Sequence, residues 1–299
     1  MQPASGYQAP VHCSFSNEPA PFADAPGQAI FFYDTHAHLD DAAFGPDLAD
    51  VLARARAAGV CRLITVGTDL ASSRRCVALA EQHPEVFAAV GWHPTHALEA
   101  PGDLADALRD LARHPKVVAI GETGLDYYRL PTRDADGRRD LEAYKHAQAR
   151  LFELHLDLAA ELGLNVVVHQ RAAFEDALAI LGRYASRVRA QFHCFAEDAT
   201  ALERVLALGA VVSFTGVLTY KNAPAVRAAL AAAPAGAFMF ETDAPYLVPE
   251  PHRGGGVKRC EPAHLRATVE LAAAVRGESL AALGADTCAT ARRFFARPH

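Results

Sequence analysis

The stretch GLNVVVH, residues 163–169, begins with a glycine and ends with three consecutive valines and a histidine. Gly163 follows a long segment rich in Ala and Leu, where glycine suits the left-handed position that ends a helix. No polar residue alternates with the valines, which is typical of a strand covered on both faces. The stretch therefore predicts a helix, a tight helix end and a buried parallel strand that finishes at His169.

The same order of elements recurs along the chain from about residue 30 onwards, and Gly59 and Gly209 also separate a helical segment from an apolar run. We predict eight strands, at residues 30–38, 60–67, 86–91, 117–121, 165–169, 190–194, 210–214 and 237–241. Helices are predicted between them, at residues 47–58, 71–83, 103–113, 139–162, 174–183, 199–208 and 223–233. Two more helices are predicted after the last strand, at residues 262–276 and 279–295.

Eight alternating strand–helix units in 299 residues favour an α/β fold, a single (β/α)8 TIM-type barrel with a C-terminal helical extension. A doubly wound open sheet is the alternative, but its first strand is usually followed by a glycine-rich phosphate loop, whereas here histidines follow. We expect one hydrolase domain over residues 30–299. Residues 1–29 are rich in Pro, Ala and Ser without any Lys or Arg, and we expect them to be a disordered extension rather than a signal peptide.

The overall composition is 51% hydrophobic and 21% charged, with a net charge of −6, and no run approaches the roughly 18 apolar residues of a membrane span. The six cysteines are scattered and form no C-x-x-C pair, which favours free thiols in the cytoplasm. Because the chain has no overall basic field, a nucleic-acid partner must be held locally, by metal ions or by a few Arg and Lys side chains.

The predicted strand ends carry the chemistry, because the carboxyl ends of the strands of such a barrel meet at one mouth. His36 and His38, in FYDTHAHLD (residues 32–40), are two apart and so face the same side of a strand. The other strand ends carry His93, Glu122, His169, His193, Glu241 and Asp243. Each group alone is more often an ordinary packed, capping or surface residue. Their coincidence favours a metal site, since burying several ionisable groups together is costly unless they pair or bind a metal.

Six candidate ligands from five strands are too many for one tetrahedral ion and favour two divalent ions, which together can activate a water and stabilise a phosphoryl oxygen. We assign His36, His38 and Asp243 to one ion, His169 and His193 to the other, and Glu122 to both. Asp243 is also the expected general base. The residues leave Mg²⁺, Mn²⁺ and Zn²⁺ open as the metal.

Eight motifs, taken together, resemble the TatD family of metal-dependent deoxyribonucleases within the amidohydrolase-like barrels. They are DTHAHLD (34–40), VGTDLASS (66–73), GWHP (91–94), GETGLDYYR (121–129), VVVHQR (166–171), FHCF (192–195), SFTG (213–216) and ETDAPYL (241–247). The resemblance implies a barrel, the same six ligands and hydrolysis of DNA phosphodiester bonds, with 3′-to-5′ exonuclease preference for single-stranded ends.

The resemblance also implies where the substrate lies. The catalytic set is then Asp243, Glu122 and His93, with His93 orienting a phosphate or the leaving group. Arg129 and Arg171 are candidates for holding phosphate oxygens, since arginine offers a planar fork for them. Tyr127 or Tyr128 is a candidate for stacking a base.

Several alternatives remain open at this point. An esterase acting on D-aminoacyl-tRNA would use the same site. A small-molecule amidohydrolase or lactonase is disfavoured, because many of them bridge their metals with a carboxylated lysine on the fourth strand, where this chain has Glu122. A metal-stabilised scaffold is disfavoured, because a structural zinc site needs only four closed ligands. No membrane partner is expected, and the sequence leaves the oligomeric state open, a monomer included.

Overall fold

A computed structural model describes residues 30–129 and 141–297, together with the backbone of two short strands, Ala23–Ala25 and Gln28–Ala29. Within these residues eight parallel strands follow one another in the sheet in chain order. They are β1 (Phe32–Ala37), β2 (Val60–Val66), β3 (Val86–Val90), β4 (Val117–Asp126), β5 (Asn165–Arg171), β6 (Ala190–Phe192), β7 (Val211–Phe214) and β8 (Phe238–Phe240).

The first and last strands meet just beyond their carboxyl ends. Ala37 and Ala244 form a parallel bridge. The N–H of His38 donates to the carbonyl of Ala244 at 2.7 Å, and the N–H of Asp243 donates to the carbonyl of His36 at 2.8 Å. These contacts close the sheet, so the predicted (β/α)8 barrel is confirmed, and they place two candidate ligand segments side by side.

Helices alternate with the strands as predicted. They are α1 (Leu48–Ala57), α2 (Leu70–Gln82), α3 (Leu104–Ala112), α4 (Leu141–Leu162), α5 (Phe174–Gly182), α6 (Ala199–Ala207), α7 (Pro224–Ala232), α8 (Leu265–Arg276) and α9 (Leu280–Phe294). The predicted start of α4 at residue 139 lies outside the described residues. None of the helices in the described part of the chain has the length and apolar character needed to cross a membrane.

The C-terminal extension covers the amino end of the barrel. Asn165, the first residue of β5, donates a side-chain hydrogen bond to the carbonyl of Phe294 in α9. Arg297 donates to the carbonyl of Val117, the first residue of β4, at 2.7 Å. Phe294 also packs with buried residues of the strand interiors, such as Met239. The opposite, carboxyl end of the barrel therefore stays available as the mouth.

The N-terminal prediction is only partly addressed by the structure. Ala23–Ala25 pairs antiparallel with Gln28–Ala29, although neither stretch has the alternating apolar pattern that predicts a strand. Residues 1–22, 26 and 27 lie outside the described residues. The disordered extension at residues 1–29 therefore stays a prediction, except that these two short segments are paired.

Strand β4 runs five residues past its predicted end at Gly121, and this correction matters for the site. Gly121 and Gly124 have φ values of 147° and 126°, which favour glycine. A Cβ atom at residue 121 would lie 2.7 Å from the carbonyl oxygen of Val167, and one at residue 124 would overlap the carbonyl oxygen of His169. The glycines permit close pairing of β4 with β5 as far as Asp126 and Arg171, rather than ending the strand.

His155 on α4 is completely buried and links this helix to the loop that follows β3. Its Nδ1 donates to the carbonyl of Leu151 at 2.7 Å, and its Nε2 accepts the backbone N–H of Trp92 at 3.0 Å. The neutral ring therefore fixes the residue next to His93. Burial outweighs the hydrogen bond to Leu151 and lowers the pKa of His155 from 6.5 to about 4.

We expect this shift to make the protein less stable in acid. Between pH 6.5 and about 4 the unfolded chain binds a proton at His155 that the folded chain does not, so the stabilisation is complete above pH 6.5 and is lost as the pH falls. The shift corresponds to roughly 3 kcal/mol of unfolding free energy. Urea unfolding of the parent and His155→Gln across this range, in chelator, measures it. The two pH profiles should diverge in acid, and parallel profiles would refute the assignment.

Candidate metal centre

Glu122, on β4, lies at the centre of the mouth and its side chain is 3% exposed. Its Oε1 lies 2.8 Å from His169 Nδ1 and 3.0 Å from His193 Nε2. Its Oε2 lies 3.5 Å from His36 Nε2 and 3.7 Å from His38 Nε2. The two oxygens of one carboxylate thus face two different pairs of histidines, which is the arrangement that a ligand shared between two ions requires.

Asp243 adds a second carboxylate to the His36–His38 pair. Its Oδ1 lies 3.4 Å from His38 Nε2 and 3.7 Å from His36 Nε2. Its backbone is left-handed, with φ of 56°, and is held there by the hydrogen bond from its N–H to the carbonyl of His36. Burial alone would raise the pKa of Asp243, but His38 and His36 hold it below its ordinary value.

Two histidines also make contacts on the side away from the centre. His38 Nδ1 lies 2.9 Å from the carbonyl oxygen of Val66, and His169 Nε2 lies 3.2 Å from Asp126 Oδ2. These oxygens can only accept, so each can hold the ring proton on the nitrogen that faces it. The other nitrogen of each ring can then give its lone pair to an ion, as in metal-ligating histidines.

The spacing of the donor atoms also fits a metal ion. His36 Nε2 and His38 Nε2 lie 3.3 Å apart, and both are 3.4–3.7 Å from the Asp243 oxygen. Donor atoms around one tetrahedral ion with bonds of about 2.1 Å lie about 3.4 Å from one another. His36 Nδ1 is buried and finds no hydrogen-bond partner among the described residues. Burial, together with His193, lowers the pKa of His36 below its ordinary value, so the ring is neutral and can give a lone pair to an ion.

Charge within the mouth follows from burial and from the close carboxylates. Burial alone would raise the pKa of Glu122, but His193, His93 and His169 hold it well below its ordinary range, so it is ionised. Burial opposes protonation of His38, yet Asp243 and Glu122 outweigh burial and raise its pKa to about 9. A metal ion must therefore compete with a proton at His38, and metal affinity should rise with pH.

Three sets of candidate ligands have their donor atoms within 4.8 Å of one another: His36, His193 and Asp243; His36, His38 and Glu122; and His93, Glu122 and His169. The sets overlap, so all six predicted ligands meet in one cluster, together with His93. The cluster has the groups to bind metal. The number of ions and their allocation stay predictions.

His93 differs from the other histidines in its tautomer. Its Nδ1 accepts the backbone N–H of Thr95 at 3.2 Å, and the Thr95 hydroxyl lies 2.6 Å from the same nitrogen. A ring nitrogen that accepts a backbone N–H has no proton of its own, so in the neutral ring the proton is on Nε2. That nitrogen lies 3.5 Å from Glu122 Oε1. His93 therefore presents a donor to the mouth, which suits contact with substrate better than metal ligation.

Three buried carboxylates lie behind the ligands; the sequence assigns no role to any of them, although it places Glu241 at a strand end. Asp126 faces His169. Glu241 Oε1 accepts the backbone N–H of Cys194 at 2.6 Å and lies 3.4 Å from His193 Nδ1, a contact outside hydrogen-bond geometry. Asp34 accepts the N–H and the hydroxyl of Thr242 at 2.9 and 2.6 Å. The spacing of Glu122 and Asp126 by four residues would have identified Asp126, had the strand been predicted to continue past Gly121.

The predicted substrate contacts are only partly brought together. The guanidinium of Arg171 lies 3.8 Å from the ring centre of Tyr128, which is 65% exposed at the mouth. Arg129 is also exposed beside them. Tyr127 instead donates its hydroxyl to Asp176 on α5 at 2.9 Å and packs against the core. Of the two tyrosines, Tyr128 is the ring available to a base.

The barrel and its cluster of histidines and carboxylates define a metal-dependent hydrolase. The family model for TatD related DNase matches residues 33–296. The chain belongs to the TatD family, as the motifs predicted.

Relatives of known sequence or structure agree with this placement. The chain is 33% identical to a Bacillus subtilis protein named uncharacterized metal-dependent hydrolase YabD, over 88% of this chain and 98% of the relative. It is 36% identical to the Erwinia tasmaniensis protein named 3′-5′ ssDNA/RNA exonuclease TatD, over 88% and 99%. The crystal structure of the Escherichia coli TatD homolog YJJV superposes with a TM-score of 0.80 at 27% identity, over 89% of this chain and 98% of that one.

Proposed function

We propose that this hydrolase is a nuclease that cleaves phosphodiester bonds of DNA from single-stranded 3′ ends. The observation that carries the proposal is Glu122, whose two oxygens face two separate pairs of histidines. A shared carboxylate of this kind supports a centre of two ions, which suits phosphodiester hydrolysis. The name of the Erwinia tasmaniensis relative, a 3′-5′ ssDNA/RNA exonuclease, supports the substrate class.

In this proposal the residues of the centre divide as the sequence analysis assigns them. His36, His38 and Asp243 would hold one ion, His169 and His193 would hold the other, and Glu122 would contribute a carboxylate oxygen to each. Bound Mg²⁺, Mn²⁺ or Zn²⁺ would lower the pKa of water and neutralise charge on a phosphate. The cysteines are scattered and form no C-x-x-C pair, which supports the proposed cytoplasmic setting.

The remaining groups act on the substrate itself. Asp243 is ionised and its side chain is 15% exposed, so it can accept a proton from the attacking water. His93 presents Nε2–H to the mouth and donates to a phosphate oxygen or to the leaving group. Arg171 and Arg129 hold phosphate oxygens, and Tyr128 stacks the terminal base.

We expect hydrolysis to require added divalent metal. Chelator-treated protein should lose activity on single-stranded DNA with a free 3′ end and regain it when metal is restored. DNA blocked by a 3′-phosphate should be cut more slowly than DNA with a free 3′ end. D-aminoacyl-tRNA, a lactone and a dipeptide amide, tested on the same sample, represent the competing hydrolases. Full activity in chelator, or faster turnover of one of these three compounds, would contradict the proposal.

A further inference from the structure

Asp126 ends β4 and is 1% exposed, and its carboxylate contacts three residues at once. Its Oδ1 accepts the backbone N–H groups of Tyr128 and Arg129 at 2.9 and 2.8 Å. Its Oδ2 lies 3.2 Å from His169 Nε2. One buried side chain therefore joins a histidine of the metal centre to the exposed segment that carries the candidate base and phosphate contacts.

The backbone of Asp126 is itself held in place by a buried glutamine. Gln148 on α4 is fully buried; its Oε1 accepts the N–H of Asp126 at 2.8 Å, and its Nε2 donates to the carbonyl of Asp126 at 3.0 Å. The carboxylate thus has little freedom to turn away from His169. A residue whose backbone and both oxygens are engaged is well placed to impose an orientation on its neighbour.

Both ring nitrogens of His169 face a carboxylate, Nε2 that of Asp126 and Nδ1 that of Glu122. When an ion takes the Nδ1 lone pair, the ring proton must lie on Nε2, where the Asp126 carboxylate accepts it. Nδ1 lies 2.8 Å from Glu122 Oε1 and 3.2 Å from His193 Nε2, inside the centre. The opposite tautomer would turn a lone pair towards the Asp126 carboxylate and an N–H towards the ion.

We propose that Asp126 is a positioning residue that sets the tautomer of His169, and with it the metal affinity of the His169 half of the centre. The same carboxylate holds the backbone of Tyr128 and Arg129, so the metal centre and the substrate segment share one anchor. The inference rests on the metal-dependent function proposed above. In this proposal Asp126 contacts a metal ligand, His169, but contacts neither the ion nor the substrate.

Asp126→Asn tests the proposal because it changes one atom and keeps the shape. The asparagine Oδ1 can still accept the N–H groups of Tyr128 and Arg129, whereas its NH₂ group would face His169 Nε2. That nitrogen must then accept, and the ring proton moves to Nδ1, where it blocks metal binding. We expect metal affinity about 10- to 100-fold lower than in the parent, the usual cost of losing such a partner. Competition of Mn²⁺ and Zn²⁺ with a chelating dye measures the affinity.

A second measurement tests the tautomer directly. Nitrogen-15 spectra of the Zn²⁺-loaded proteins should show His169 protonated at Nε2 in the parent and should lack that signal in Asp126→Asn. His169→Asn assigns the signals. The melting temperature of metal-free Asp126→Asn should stay within a few degrees of the parent, since the loop keeps its acceptor.

Asp198→Asn is the matched control. Asp198 accepts the backbone N–H of Ala201 at the start of α6 at 2.9 Å and bonds no histidine in the described parts of the chain. It should leave both metal affinity and the His169 tautomer unchanged. Parent-like metal affinity in Asp126→Asn, or a Zn²⁺-loaded parent whose His169 is protonated at Nδ1, would overturn the proposal. A parent that binds metal but does not cleave DNA would instead refute the proposed function, and the affinity comparison would still decide the role of Asp126.

Discussion

Glu122→Ala is expected to release metal from both halves of the centre and to abolish hydrolysis of single-stranded DNA. The reason is geometric: Glu122 Oε1 faces His169 and His193, while Oε2 faces His36 and His38, so one truncation removes a donor from each half. A metal ion supplies several kcal/mol of charge stabilisation in the transition state, so kcat should fall by about 10³-fold or more. Metal per chain, by elemental analysis, and kcat should be measured on the same sample.

Glu203→Ala is a suitable comparison, because Glu203 is an exposed residue of α6. That variant should keep the metal content and turnover of the parent. Two metals per chain in Glu122→Ala would show that Glu122 does not bridge ions, whatever the activity. One retained metal would place Glu122 in one half of the centre and likewise refute the shared role.

Asp243→Asn should separate proton transfer from metal binding. The asparagine oxygen can still coordinate beside His36 and His38, whereas the amide cannot accept a proton from water at neutral pH. At least one ion should therefore remain, while kcat falls by about 10²–10⁴-fold, the usual worth of a positioned base. Turnover at the parent rate would exclude Asp243 as the base. Complete loss of metal would mean that its charge, and not its basicity, is what the centre needs.

The residues that meet in the centre were predictable because each of the predicted ligands stands at or just beyond the carboxyl end of an apolar run. Parallel strands bring such ends together without any further information, so His36, Glu122 and His193 follow from pattern alone. The hydrogen-bond partners of the ligands cannot be predicted from this pattern. The tautomers of His38 and His93 depend on Val66 O and on the Thr95 N–H, which only the folded chain brings into place.

The predicted end of β4 at Gly121 is wrong for a local physical reason. Glycine usually weakens a strand, whereas Gly121 allows the backbones of β4 and β5 to approach closely. Asp126 was missed as a consequence. The sequence also does not determine which of Tyr127 and Tyr128 turns inwards, because the hydroxyl of Tyr127 is held by Asp176 on a different helix.

Gly121 and Gly124, which have no Cβ atom, also limit how the metal centre can be altered. Where β4 pairs with β5, the space that a Cβ would fill is taken by main-chain atoms of Val167 and His169. The distance between the backbones of Glu122 and His169 is consequently set by strand pairing and does not depend on side-chain volume. Replacing Glu122 or His169 by another ligand type would change the metal preference and leave the backbone separation of the two positions unchanged. Changing the dimensions would require a different register between the two strands.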